Sequence, residues 1–116
     1  MTQTILQKIN AERVKAKAYC RRKYGDYPLL MIDDGDSWVI KYPSKYHRDE
    51  WDIEYYGGPV TINSLSEIVK DFKAEGITEA FWEAEYCCYE SKYDFENGDG
   101  FHGDWATVDL APLFEA

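Results

Sequence analysis

A chain of 116 residues, 45% hydrophobic and 16% aromatic, has the length of one domain with a single modest core, and its aromatic content excludes a disordered acidic tail. No apolar run approaches the ~18 residues of a membrane span and no apolar leader region opens the chain, so a cytoplasmic protein without membrane contacts is expected. The net charge of −9 is divided unevenly: Lys8, Arg13, Lys15, Lys17, Arg21, Arg22 and Lys23 face the single acid Glu12 in the first 24 residues, and the other 21 acids follow.

Residues from about 4 to 24 predict a basic helix, free of Gly and Pro and rich in Ala, Lys, Arg and Gln. Thr4 or Thr2 is placed to cap it. Ile5, Ile9, Ala16 and Tyr19 or Cys20 repeat at helical spacing, with Leu6, Val14 and Ala18 widening the stripe. Arg21, Arg22 and Lys23 fall at the negative end of the helix dipole. Leu29 to Ile32 and Trp38 to Tyr42 flank Asp33-Asp34-Gly35-Asp36, which reads as a hairpin. Trp38, Ile40 and Tyr42 make an apolar face, and Pro43 ends the run. After a polar loop, Ser44 to Glu50, a third strand is expected with Trp51, Ile53 and Tyr55 toward the core and Asp52, Glu54 and Tyr56 toward solvent.

Gly57-Gly58-Pro59 breaks that strand, and Val60 to Ile62 reads as a short extended piece. Ser64-Leu65-Ser66-Glu67 matches a capping box with Ser64 as N-cap, and Leu65, Ile68, Val69 and Phe72 mark one face of an amphipathic helix. Gly76 is placed to close it in a left-handed conformation, with Ile77 making the apolar contact that follows. From Thr78 to about Tyr93 the pattern predicts a long strand, bent near Cys87-Cys88. Ala80, Trp82, Ala84, Tyr86 and Cys88 share one face of it; Phe81, Glu83, Glu85, Cys87 and Tyr89 share the other. Asn97-Gly98-Asp99-Gly100 reads as a turn, Asp104 to Leu110 as a returning strand, and Pro112 as the end of order. The element order α-β-β-β-α-β-β implies an α+β fold: one domain over 1–116, with a single antiparallel sheet of about five strands and helices packed on one face.

Cys20, Cys87 and Cys88 are an odd set without disulfide-framework spacing, which predicts reduced thiols. No cofactor or metal site is expected. Asp33, Asp34 and Asp36 crowd one turn, and Asp94, Glu96, Asn97 and Asp99 another, but neither has EF-hand spacing, and His47 and His102 stand alone. The chain has no nucleophile elbow, no P-loop and no dinucleotide fingerprint. With 22 acids, carboxylate pairs arise by chance, so no catalytic residue is named and an enzyme is not expected.

The candidate partner-binding residues are the acids and tyrosines of the aromatic strands. Asp52 and Glu54, like Glu83 and Glu85, lie roughly 6.8 Å apart along one strand face. Tyr56, Tyr89 and Tyr93 interleave with them, and Glu90 and Asp94 extend the negative field. Tyrosine adds contact area at little entropic cost, and carboxylates steer a basic partner. The expected function is therefore non-enzymatic binding to a basic protein or nucleoprotein complex, as an inhibitor that covers a nucleic-acid-binding surface. Plain solvation of a sheet face accounts for the same charges.

The basic helix admits three roles. It packs against the chain's own acidic sheet, docks on a second copy to give a homodimer, or contacts phosphate through Lys15, Arg21, Arg22 and Lys23 as a nucleic-acid-binding module. The net charge of −9 weighs against the last. A small enzyme, or a domain with a metabolite pocket of Trp and Tyr, is the remaining alternative. In size, acidity and aromatic content the chain resembles the small inhibitor proteins that phages and mobile elements direct against host nucleases and CRISPR complexes. That likeness implies an inhibitory, partner-binding role and lends no residues.

Overall fold

The N-terminal run without Gly or Pro forms a helix, α1 (Thr2–Tyr24), with Arg21, Arg22 and Lys23 in its last turn. The computed structural model describes residues 2–24, 37–99 and 102–115. After α1 come β1 (Trp38–Pro43), β2 (Trp51–Tyr56), α2 (Ile62–Ala74), β3 (Phe81–Cys88), α3 (Lys92–Asn97), β4 (His102–Asp109) and α4 (Ala111–Phe114). The strands make one antiparallel sheet in the order β2-β1-β3-β4. The α+β class and the single antiparallel sheet are as expected, but the described residues hold four strands, not about five.

The expected strand 29–32 and its turn lie outside the described residues. Along Val39–Lys41, β1 is already paired on both sides, with β2 and with β3. The long strand expected up to Tyr93 stops at Cys88. There Ser91 caps α3, its hydroxyl accepting from Asp94 N at 3.1 Å, and Gly98 ends that helix at φ 69°. Pro112 does not end the order either: it sits in the first turn of α4, where its missing N–H costs nothing.

The cap of α2 sits one turn earlier than the pattern suggests. Thr61 is the N-cap and Ser64 the third helical residue: Thr61 Oγ1 accepts from Ser64 N at 3.1 Å and Ser64 Oγ accepts from Thr61 N at 2.9 Å. Ile62 therefore begins the helix and is not extended. The other end is as expected. Gly76 takes φ 81°, Gly76 N donates to Lys73 O at 3.1 Å, and Ile77 N donates to Phe72 O at 2.9 Å, while Ile77 and Phe72 are both buried. This is a Schellman closure with its apolar contact.

One core joins the helices to one sheet face. Ile5, Ile9, Ala16 and Cys20 of α1 and Leu65, Ile68, Val69 and Phe72 of α2 cluster with Trp38, Ile40, Trp82, Ala84, Tyr86, Cys88, Ala106 and Val108. Register explains the set: Ile40 faces Trp82, and Trp82 faces Val108. The stripe of α1 contains one surprise, Arg13, which is buried with its guanidinium 5.7 Å from the Trp82 ring centre. Val14 and Ala18, expected to widen the stripe, are exposed.

Two of the three cysteines correct the expectation of reduced thiols. Cys20 and Cys88 form a disulfide, Cα–Cα 5.8 Å, that ties the last turns of α1 to the end of β3; Cys87 is free and buried. Adjacent cysteines on a strand point to opposite faces, so only Cys88 meets the helix. Sixty-eight residues separate the pair, a closeness that the fold creates and sequence spacing cannot display.

Candidate functional site

Two faces of one edge strand hold the chemistry. Trp38 pairs with Tyr56 and Ile40 with Glu54, which puts Asp52, Glu54 and Tyr56 on the helix-bearing side of the sheet. Trp51, Ile53 and Tyr55 point the other way and are 41%, 46% and 78% exposed. This reverses the expected orientation of β2. The cause is its position: an edge strand beside the helices needs only one residue in the core, and Tyr56 fills that place by stacking on Trp38 at 4.6 Å.

On the helix side, Glu54 is held by two hydroxyl donors. Tyr56 OH donates to Oε2 at 2.9 Å and Tyr42 OH to Oε1 at 3.3 Å. Tyr42 is itself packed on Phe72, ring centres 4.9 Å apart. Trp38 Nε1 donates to Gly58 O at 2.9 Å, which fixes the ring that Tyr56 stacks on. Burial, then the hydrogen bond to Glu54 and its charge, push the Tyr56 hydroxyl well above the ordinary tyrosine value. Burial and then Glu54 also raise Tyr42, with smaller contributions from Asp52 and Glu75. The result is a carboxylate with fixed geometry and donors that stay protonated.

The opposite face carries Val39 and Lys41 of β1, Phe81, Glu83 and Glu85 of β3, and Trp105 of β4, by register with Tyr55 and Ile53. The Phe81 ring lies edge-on to Trp51 at 5.6 Å, and Lys41 Nζ sits 5.6 Å from the Trp51 ring centre. Trp105, beside Glu85 in register on β4, is 48% exposed and also borders the cleft against α1. Neither α1 nor α2 contributes a core contact to this side. Large aromatics in one exposed set mark a contact surface more than isolated apolar residues do.

The remaining expected residues lie elsewhere. Tyr89 is buried against Phe95 at 5.4 Å, Glu90 and Tyr93 are exposed, and Asp94 sits half-buried in the first turn of α3. Asp52 and Glu54 therefore share no face with Glu83 and Glu85, and the carboxylates do not form one continuous patch. The basic helix rests on the sheet through apolar side chains, with Glu83 and Glu85 on the far side. Lys15 and Arg22, with Tyr19, Tyr86 and Trp105, line a cleft of about 450 Å³ between α1 and the β3–β4 strands. Lys23 Nζ donates to Tyr19 OH at 3.0 Å, and Arg21 is exposed away from that lining.

Among the described residues no group of three His, Cys, Asp or Glu side chains stands close enough to hold a metal, and no helix is long and apolar enough to cross a membrane. The outward set Trp51, Ile53, Tyr55 and Trp105 went unread in the sequence. β2 carries aromatics in both phases, so alternation alone cannot say which phase is inside.

No protein family, no curated protein and no solved structure matches this chain.

Proposed function

We propose that the chain is a non-enzymatic protein-binding module that docks on a basic partner protein through the sheet face turned away from α1 and α2. The observation that carries this is the exposure of Trp51, Ile53 and Tyr55 on one side of the sheet, with the half-buried acids Glu83 and Glu85 on the same side. Buried aromatics supply most of the affinity in such contacts, and carboxylates supply encounter rate and salt sensitivity. Inhibition follows where the covered surface is one that the partner uses for DNA or RNA.

The test is capture of the partner from source cells, followed by association kinetics with purified components. W51A is expected to raise the dissociation rate about ten-fold or more, the loss typical of a central aromatic. E83Q with E85Q is expected to slow association and flatten its salt dependence, and nucleic acid is expected to compete. Kinetics indifferent to both sets of variants would refute the docking face; a ternary complex with nucleic acid would refute the inhibitory role.

A second reading is favoured by the cleft beside α1. Lys15 and Arg22 flank the aromatic side chains of Tyr19 and Tyr86, groups that suit a phosphate-bearing ligand with a planar base. A mobility shift on single-stranded DNA at low salt, lost in K15E with R22E, would support it.

A further inference from the structure

β2 has a hydrogen-bonded neighbour on one side only, β1, and ends the sheet among the described residues. Natural edges are commonly guarded by Pro, charged side chains, a bulge or a covering helix. β2 reads Trp-Asp-Ile-Glu-Tyr-Tyr over Trp51–Tyr56 with unbroken register to β1, so it has neither Pro nor bulge, and its two charges, Asp52 and Glu54, are both acidic and bar an acidic strand rather than a basic one. Its residues are exposed apart from Asp52 and Tyr56, which are half-buried. Among the described residues no strand takes the backbone donors and acceptors of that edge, and a partner strand can pair with them.

We propose that β2 is the seat of an added strand, an extended segment of the partner protein in which basic residues alternate with apolar ones. This deepens the protein-binding reading and rests on it. Side chains of paired strands alternate in step. One set of the incoming side chains therefore falls beside Trp51, Ile53 and Tyr55. The next set falls on the other side, beside Asp52 and Glu54. The first environment is apolar and aromatic; the second is anionic.

Glu54 is the element that sets register. Its two tyrosine donors fix the carboxylate before a partner arrives, and each oxygen keeps acceptor capacity for a guanidinium or ammonium. Asp71 of α2, and Glu75 at its end, act on Tyr56 and Tyr42 and add to the negative field on that side. A segment that slips by one residue would set apolar side chains against Glu54 and bury charge against Trp51 and Ile53. The same acids select against a second copy of this chain. Two β2 edges paired together would bring Asp52 and Glu54 of each copy face to face, like charges at cross-strand distance. The occupant that fits is basic and foreign.

The experiment uses the whole chain and two capped synthetic peptides of equal composition. One alternates valine with arginine and lysine, and the other groups the basic residues at one end. The alternating peptide is expected to bind about ten-fold more tightly in fluorescence anisotropy. It is also expected to protect backbone amides of residues 51–56 from hydrogen exchange. E54Q and D52N, both surface changes that leave the core intact, should each weaken binding about three-fold or more and reduce its salt dependence. N-methylation of the peptide along one edge should abolish binding, which charge attraction alone would not require. Equal binding of the two peptides, or binding without protection at 51–56, overturns strand addition and leaves the docking-face reading standing. Indifference of the captured complex to W51A and to E83Q with E85Q overturns the docking face itself.

Discussion

Tyr56 is the residue at which core and surface chemistry meet. Its ring stacks on Trp38 while its hydroxyl donates to Glu54. Both the burial and the carboxylate favour the neutral phenol, so folding raises its pKa above the unfolded value of 10.0. The sign follows from linkage. A group whose folded pKa is raised contributes stability in full below the unfolded pKa and loses it as pH climbs toward the folded value. The protein is therefore expected to lose stability above pH 10.0, and Tyr56→Phe to remove part of that alkaline slope. Near neutrality the same change should cost about 1 kcal/mol through the lost hydrogen bond. Denaturant melts of both proteins on either side of that pH check the two statements together. A variant with an unchanged alkaline slope would show that other groups control it.

At the scale of elements, the cap of α2 has a measurable share in stability. Thr61→Ala leaves an orphan helix donor and breaks the reciprocal bond with Ser64, an expected loss of about 1 kcal/mol read as a lowered denaturation midpoint at unchanged slope. Ser66→Ala, two residues further on, is the neutral comparison. Helices α1 and α2 and the two central strands were legible in the chain because each shows a single hydrophobic period. Ile5 and Ile9, Leu65 and Phe72, and Trp82 with Ala84 and Tyr86 all lie where spacing puts them. β2 was legible as a strand but not in orientation. Tyr55 and Tyr56 satisfy both phases, and only the cross-strand pairing Trp38 with Tyr56 decides between them. The candidate site inherits that ambiguity. Strand alternation already put Glu54 and Tyr56 on one face, but the second donor, Tyr42, comes from β1, which no local pattern joins to Glu54. Short α3 was hidden behind an apparent continuation of β3, although Ser91 followed by Asp94 is itself a start signal.

For the whole molecule, the charge division in the sequence becomes a division in space only in part. The cationic α1 is held to the sheet by apolar contacts, and Glu83 and Glu85 point out from the opposite side. The Cys20–Cys88 disulfide then joins that helix covalently to the central strand. Closing a loop across 68 residues removes unfolded-state freedom equivalent to about 4 kcal/mol in the chain-entropy account. Reductant, or Cys20→Ser, is expected to lower unfolding free energy by an amount of that order, and Cys87→Ser to leave reductant sensitivity intact. Equal stability with and without reductant would show that packing alone retains α1. The same cross-link changes what a broken backbone means. Lys45 and Arg48 stand on the exposed connection between β1 and β2, inside the span the two sulfurs enclose. A trypsin nick there yields two polypeptides that migrate as one species until a thiol is added, so the molecule tolerates a severed main chain without parting company with its first helix.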